Sequence, residues 1–334
     1  MRKIVLLLVA YAAITGFMHP VNAADGDRVE KKQPHPEQSN NQVDIALAKT
    51  LAGVPGELSA LPADYISAAA LRKHGKPGKL FLRSHIAMVY DERDNVVILN
   101  RSANKKVPIA SLTKLMTAMV LIDAQLPMDE LVTIVKADKD RLRYSKSRLP
   151  FGTTLTRGDL LLLSLAASAN RAAVALARTY PGGTQAFINA MNQKAVSLGF
   201  SNTTFADAAG LRNENISTAT ELVQLVSEAS NYPLIRELTT TQEDSVADAK
   251  TGRVFKFRNT NRLVRKDNWE ISLSKTGFTS DAGNCLVMKT KIGERPLILV
   301  LLNSWGKLSK YGDSNRIKKW LIKTERTIRQ RKLL

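Results

Sequence analysis

Cysteine is almost missing from this chain. Cys285 is the only one in 334 residues, so no internal disulfide can form and the fold must rest on its hydrophobic core. The surroundings of Cys285 read as a strand, which makes it a small buried residue rather than a nucleophile. Histidine is scarce as well, with four in total. His19 falls in an apolar leader and His35 in a polar tail, and no Gly-x-Ser-x-Gly elbow occurs, so a Ser-His-Asp triad has little to stand on. There is no His-Glu-x-x-His, no pair of cysteines and no Walker loop, which removes zinc hydrolases and nucleotide-driven enzymes. No metal and no organic cofactor are expected. Acidic residues are outnumbered, 30 Asp and Glu against 49 Lys and Arg, and a net charge of +19 calls for an anionic partner. Nucleic acid is not that partner, because no platform of interleaved aromatic and basic residues is present. The apolar run Ile4–Phe17 is too short to span a membrane comfortably. Preceded by Met1-Arg-Lys and followed by Val21-Asn-Ala, it reads as a signal peptide over residues 1–23. No cysteine follows Ala23, so lipid attachment is not indicated, and the mature chain is expected to be exported, to the periplasm in a Gram-negative host.

Against these absences stand three short motifs in order: Ser-Leu-Thr-Lys at 111–114, Ser-Ala-Asn at 168–170 and Lys-Thr-Gly at 275–277. None is specific alone. Ser-x-x-Lys also begins at Ser102, Ser272 and Ser304, Ser-x-Asn at Ser39 and Ser102, and a second Lys-Thr-Gly at Lys250. Context separates them. Residues 111–125 follow Pro108, contain no Gly or Pro and are rich in helix formers, so Ser111 sits at a helix start. There, free backbone N–H groups and the positive end of the dipole can stabilise an oxyanion. Lys114, three residues on, shares the face of Ser111. Its neighbours Leu112, Leu115 and Met116 predict a poorly hydrated amine. Burial and a second cation both depress a lysine pKa, as a general base requires. Moving it from about 10.4 towards 7 costs roughly 4 kcal/mol. Ser102 lies in a charged loop, Ser272 in a period-two strand pattern, and Ser304 lacks an amphipathic helix after it.

Ser168-Ala169-Asn170 interrupts two helical stretches, Leu155–Ala167 and Arg171–Thr179. A polar turn between apolar helices is costly to bury unless it faces a cleft. Ser168 can then pass a proton to a leaving amine and Asn170 can hold a peptide group; the plain alternative is a helix-capping serine. Lys275-Thr276-Gly277 ends a predicted strand Ile271–Lys275, with a turn through Phe278–Gly283 and a return over Asn284–Lys289. A lysine beside a small hydroxyl residue can bind a carboxylate, and Gly277 admits a closely approaching chain. The rival Lys250 copy follows Glu243–Ala249, a polar stretch that reads as a turn.

The ordered trio resembles the penicillin-recognising serine peptidases and β-lactamases. From about His85 to Leu321 the chain is similar to their low-molecular-mass D-alanyl-D-alanine endopeptidase branch, the penicillin-binding protein 7 type. The resemblance is carried by Ser-Leu-Thr-Lys-Leu-Met-Thr-Ala, Leu-Thr-Arg-Gly-Asp-Leu-Leu-Leu, Tyr-Pro-Gly-Gly-Thr-Gln-Ala-Phe, Ala-Met-Asn-Gln-Lys-Ala, Asn-Thr-Asn-Arg-Leu-Val and Ser-Lys-Thr-Gly-Phe. Ala169 departs from it, where relatives usually place Asp, Glu, Gly or Ser. The resemblance implies a serine D,D-endopeptidase that cleaves D-alanyl cross-links of peptidoglycan through an acyl-enzyme and is inhibited covalently by β-lactams. It implies Ser111 as nucleophile, Lys114 as base, Ser168 as proton relay, Asn170, Thr276 and Lys275 as substrate contacts, and the N–H groups of Ser111 and Phe278 as oxyanion hole. Gly277 belongs to the same substrate-binding strand. A D,D-carboxypeptidase is the alternative. A β-lactamase fits less well, since no Glu-x-x-x-Asn stands between Asn170 and Lys275.

The expected organisation is a signal (1–23), an N-terminal extension (24–78) and a catalytic domain (79–334) with a helical subdomain at about 111–240. Hairpins at both ends of the domain, His85–Tyr90 with Val96–Asn100 and Ile271–Lys275 through Pro296–Asn303, enclose helices that include Gln185–Leu198 and Ala219–Ser230. That pattern predicts an α+β fold of the β-lactamase/D,D-peptidase type, an antiparallel sheet flanked by helices plus a mostly helical subdomain. The basic segment Lys136–Arg148 either draws in acidic murein peptides or is a solvated loop. The stripe Ile317, Trp320, Leu321 and Ile328 is expected to pack on the sheet; peripheral membrane contact is its alternative.

Overall fold

The computed structural model describes residues 65–331. The signal peptide and most of the N-terminal extension lie outside the described residues. The elements, in chain order, are α1 (Ala68–Gly75), β1 (Ser84–Asp91), β2 (Val96–Arg101), β3 (Val107–Pro108), a 3₁₀ turn (Ala110–Thr113) and α2 (Lys114–Asp123). The middle continues with β4 (Leu131–Thr133), β5 (Thr154–Thr156), α3 (Arg157–Leu165), α4 (Asn170–Arg178), α5 (Gly183–Ser197), β6 (Ile216–Ser217), α6 (Ala219–Ala229) and α7 (Pro233–Thr240). The last third holds β7 (Glu243–Ala247), β8 (Val254–Arg258), β9 (Glu270–Thr279), β10 (Gly283–Ile292), β11 (Arg295–Ser304) and α8 (Ser309–Arg331).

Alternation along β1 and β11 explains why the sheet is covered on both faces. Ile86, Met88 and Tyr90 join one apolar cluster with Ile298, Val300 and Leu302, while Ala87 and Val89 join the other with Leu297, Leu299 and Leu301. Successive strand residues point to opposite faces, so a strand apolar at every position needs a layer on each side. The five strands run antiparallel in the order β2-β1-β11-β10-β9. One face packs on α2, α6 and the helical middle through Leu115, Met119, Leu222 and Val226. The other packs on α1 and α8 through Leu71, Ile317, Leu321 and Ile328. The stripe on α8 is thus used inside the protein, with the indole of Trp320 donating to Gly75 O at 2.8 Å, and it offers no apolar face to a membrane. Among the described residues no helix is long and apolar enough to cross one. The α+β architecture agrees with the expectation.

Several boundaries differ from those expected. Residues 65–78, expected to belong to the N-terminal extension, supply α1; Tyr65 and Asp94, with Asp91 and Glu325, surround the buried Arg295. Leu155 belongs to β5 rather than to the helix that follows, because Thr156 caps α3 by accepting from Asp159 N. Glu243–Ala247 is a strand, not a turn. Its side chains are exposed except Val246, so it shows no apolar alternation to read. The strand carrying Lys-Thr-Gly also runs on to Thr279, so Phe278 lies in β9 and the turn is shorter than expected, because Gly283 resumes pairing opposite Thr279.

Candidate active site

The 3₁₀ turn before α2 puts Ser111 between two close backbone approaches. Ala110 has φ +47°, a left-handed conformation that costs an alanine about 1–2 kcal/mol and concentrates at functional sites. It is held by its neighbours. A Cβ at Gly210, itself at φ +78°, would stand 1.9 Å from Ala110 O. A Cβ at Gly277 would stand 3.0 Å from Ile109 O and 3.2 Å from Ser111 N. Glycine at both positions lets the 207–211 loop and the edge strand β9 press against the turn, which brings the N–H of Ser111 beside the strand that carries Phe278.

Lys114, the first residue of α2, is fully buried, and its Nζ lies 2.8 Å from Ser111 Oγ. The amine also donates to Asn170 Oδ1 at 2.9 Å and to Ala209 O at 2.6 Å. Burial pushes its pKa down to about 7, partly offset by the negative charges of Asp207 and Asp140. Burial, not the second cation, is what lowers Lys114. The coupling instead depresses Lys275, which is held well below the usual lysine range first by burial and then by Lys114.

Ser168 occupies the turn between α3 and α4 at φ +56°, and Lys275 reaches it from β9, Nζ donating to Ser168 Oγ at 2.8 Å. Lys275 is buried and also donates to Thr276 O at 3.1 Å, so it stands behind Ser168 rather than open in the cleft. Asn170, the first residue of α4, has both ends of its amide engaged, Oδ1 by Lys114 and Nδ2 donating to Ser145 Oγ at 2.9 Å. Thr276 Oγ1 donates to Thr260 Oγ1 at 2.7 Å, and Phe278 is exposed. The three motifs therefore meet in one place. Among the described rivals, Ser102 is in a left-handed turn after β2, Ser272 lies on β9 and shares its Lys275 with the third motif, Lys250 is in the β7–β8 turn, and Ser304 ends β11; Ser39 lies outside the described residues.

The cleft lined by Ser111, Ser168, Asn170, Thr276, Gly277 and Phe278 has a volume of about 930 Å³. Its far wall brings Arg262, Arg265, Lys307 and Lys310, and none of its lining residues is acidic. Lys310 is buried, donates to Asn284 Oδ1 at 3.1 Å and has its pKa lowered to about 8, mainly by burial. Free Cys285 is buried, and burial pushes its thiol up to about 11, which leaves it an unreactive strand residue.

Sequence reasoning missed the brace behind Lys114. The Asp207 carboxylate accepts from the backbone N–H groups of Ala209, Gly210, Leu211 and Arg212 and from Asn215 Nδ2. This wraps the loop so that Ala209 O faces the lysine. The spacing Asp207-x-x-Gly210 with Asn215 is the signal, a side chain capping its own turn around a left-handed glycine. Arg143 was read only as one charge of the basic segment. It ties three loops together, donating to Leu211 O at 3.0 Å and Ser280 Oγ at 2.9 Å and pairing with Asp281 at 2.6 Å. Asp140 folds the segment by accepting from Leu142, Arg143 and Ser145 N–H groups, which delivers Ser145 to Asn170.

The chain and its fold resemble known proteins. A family model described as D-alanyl-D-alanine carboxypeptidase, peptidase S11, matches residues 74–306. The chain is 43% identical over 264 residues to a D-alanyl-D-alanine endopeptidase of Pseudomonas aeruginosa, covering 79% of this chain and 85% of that one. It is 45% identical over 240 residues to a D-alanyl-D-alanine endopeptidase of Escherichia coli, covering 72% and 77%. Among solved structures, the Streptomyces K15 DD-transpeptidase superposes with a TM-score of 0.66 at 27% identity, covering 72% of this chain and 98% of that chain. Penicillin-binding protein D2 of Listeria monocytogenes in its ampicillin-bound form gives 0.63 at 28%, covering 73% and 99%.

Proposed function

Because the chain belongs to the peptidase S11 family of D-alanyl-D-alanine carboxypeptidases, we propose that it is a serine D,D-endopeptidase that opens D-alanyl cross-links between peptidoglycan peptides. The observation that carries this reading is the contact of Ser111 with a lysine that burial brings to a pKa of about 7. At neutral pH about half of such amines are free to accept a proton, which makes Lys114 a base matched to its task. Lys114 takes the Ser111 proton, and Ser111 Oγ attacks the carbonyl of a D-Ala–X bond. The developing oxyanion is stabilised by the N–H groups of Ser111 and Phe278, each such donor being worth about 3 kcal/mol. Ser168, with Lys275 behind it, relays to the departing amine the proton that Lys114 took from Ser111, which leaves Lys114 neutral again for the water step. Water then releases the acyl group from Ser111. Thr276 and Asn170 contact the peptide, with Asn170 also holding Lys114 in line.

The cationic wall of Arg262, Arg265, Lys307 and Lys310 supports an acidic substrate, since wall peptides carry free carboxylates. In this reading β-lactams are covalent inhibitors, as the ampicillin-bound relative supports. The chain is exported to the periplasm after removal of residues 1–23; of the expected extension 24–78, α1 packs on the sheet of the catalytic domain, which continues over 79–334.

Intact mass after treatment with a penicillin, together with digestion of cross-linked muropeptide dimers, tests the proposal. The wild type should gain the mass of one drug and cut the dimers, and Ser111→Ala should do neither. Equal labelling of both proteins would refute the nucleophile. Loss of terminal D-Ala with dimers left intact would make the enzyme a carboxypeptidase.

A further inference from the structure

The catalytic cleft does not end at Phe278. Strand register gives the span: Phe278 on β9 lies opposite Asn284 on β10, which pairs with Ser304 on β11 and that with Ser84 on β1, a row whose last three residues are buried beneath the surface and serve here only to measure the distance. Three strand spacings put β1 roughly 14 Å from β9. At the end of that row a second cavity of about 260 Å³ is lined by Arg83, Trp305, Leu308 and Arg316. It shares Gly306, Lys307 and Leu308 with the catalytic cleft, so the two cavities adjoin. Its side chains are set out for a ligand. Trp305 is 72% exposed and Leu308 55%, and both line this cavity. The main chain of Trp305 is fixed by its N–H donating to Arg83 O at 3.0 Å, and the Arg83 guanidinium lies 5.9 Å from the centroid of the indole ring.

Charge selects the occupant. None of the residues lining this cavity is acidic, and among the described residues neither Arg83 nor Lys307 has a carboxylate partner. The nearby Asp313 is used internally, accepting from the N–H groups of Arg83 and Ser84 and pairing with Arg316. A peptide with free carboxylates and aliphatic side chains satisfies both the cations and the aromatic shelf. Four extended residues cover roughly 14 Å, which is the length of the row.

We propose that Trp305, Leu308 and Arg83 form a distal subsite for the second acidic peptide arm of a cross-linked substrate, the branch that a single linear peptide lacks. This rests on the D,D-endopeptidase reading and adds to it the residues that separate dimers from monomers.

The test uses Trp305→Ser, Trp305→Phe and Arg83→Gln in the full chain. Substrates are sugar-free muropeptide dimers, the same dimers carrying disaccharides, and a labelled penicillin. Penicillin labelling of Ser111 should be unchanged in all variants, which also shows that they fold. KM for both dimers should rise about tenfold in Trp305→Ser, recover in Trp305→Phe, and rise several-fold in Arg83→Gln, less so at high salt. Unchanged dimer KM with intact labelling would overturn the subsite. An effect confined to disaccharide-bearing dimers would overturn it in favour of a sugar site. A wild type that takes penicillin yet leaves every dimer uncut would overturn the endopeptidase reading itself.

Discussion

Replacing Lys114 by Met should make the protein more stable while removing its chemistry. The amine is fully buried, and its pKa falls from 10.5 to about 7. At 1.36 kcal/mol per pH unit, that displacement corresponds to about 5 kcal/mol of folding energy at neutral pH. Met fills a similar volume at no ionic cost. It forfeits hydrogen bonds to Ser111, Asn170 and Ala209, at about 1 kcal/mol each. The net expectation is a gain of about 2 kcal/mol at pH 7, or roughly 5 °C in Tm for a domain of this size. The sign with pH is distinctive. The folded-state pKa is below the unfolded one, so the penalty is full below pH 7 and is relieved as pH rises from about 7 towards 10.5. The variant's advantage should therefore shrink by about 2 kcal/mol between pH 7 and pH 9. Wild-type acylation by a labelled penicillin should rise with pH through about 7, and the variant should be slower by about 10²–10⁴-fold. Urea titration at the two pH values gives the first quantity and stopped-flow labelling the second. A less stable variant with a pH-independent gap, or acylation within tenfold of wild type, would refute the claim that an uncharged buried amine drives the reaction.

Two further outcomes follow from the geometry around that amine. Gly210→Ala places a methyl 1.9 Å from Ala110 O at a φ of +78°, so it should displace the nucleophile turn, destabilise the protein by about 3 kcal/mol in thermal melts and slow penicillin labelling at least tenfold. Arg143→Gln cuts the tie among the 140–148, 207–213 and 280–281 loops. It should leave the urea midpoint within about 1 kcal/mol of wild type, because the pair with Asp281 is half-exposed, yet raise amide exchange in those loops and KM for peptide; unchanged exchange would count against it.

Much of the fold was legible because its signals are local. The unbroken apolar run Leu297–Leu302 and the 3.6-residue stripe on α8 are each written in one segment, and the structure uses the first as a strand buried on both faces and the second as the face packed on the sheet. The errors fall where packing outweighs pattern. Glu243–Ala247 is a strand although only Val246 is buried, and Phe278 is in a strand because Gly283 resumes the ladder opposite Thr279. The role of Arg143 was hidden among neighbouring basic residues, since nothing in a run of like charges marks the one that spans three loops.

Residue order alone determined which serine precedes a lysine at a helix start, which lysine stands on a strand beside a glycine, and that no disulfide or histidine triad was available. Those are statements about chemical groups and local backbone preference, and they hold before any long-range contact forms. What tertiary structure decided is the state of those groups. Enclosure by α2, α4 and the Asp207 loop strips water from Lys114 and sets its pKa, and β9 lays Lys275 against Ser168 across 107 positions of chain. A pKa and a contact between distant segments depend on what surrounds a side chain in space, and linear order carries only the residues from which those surroundings are built.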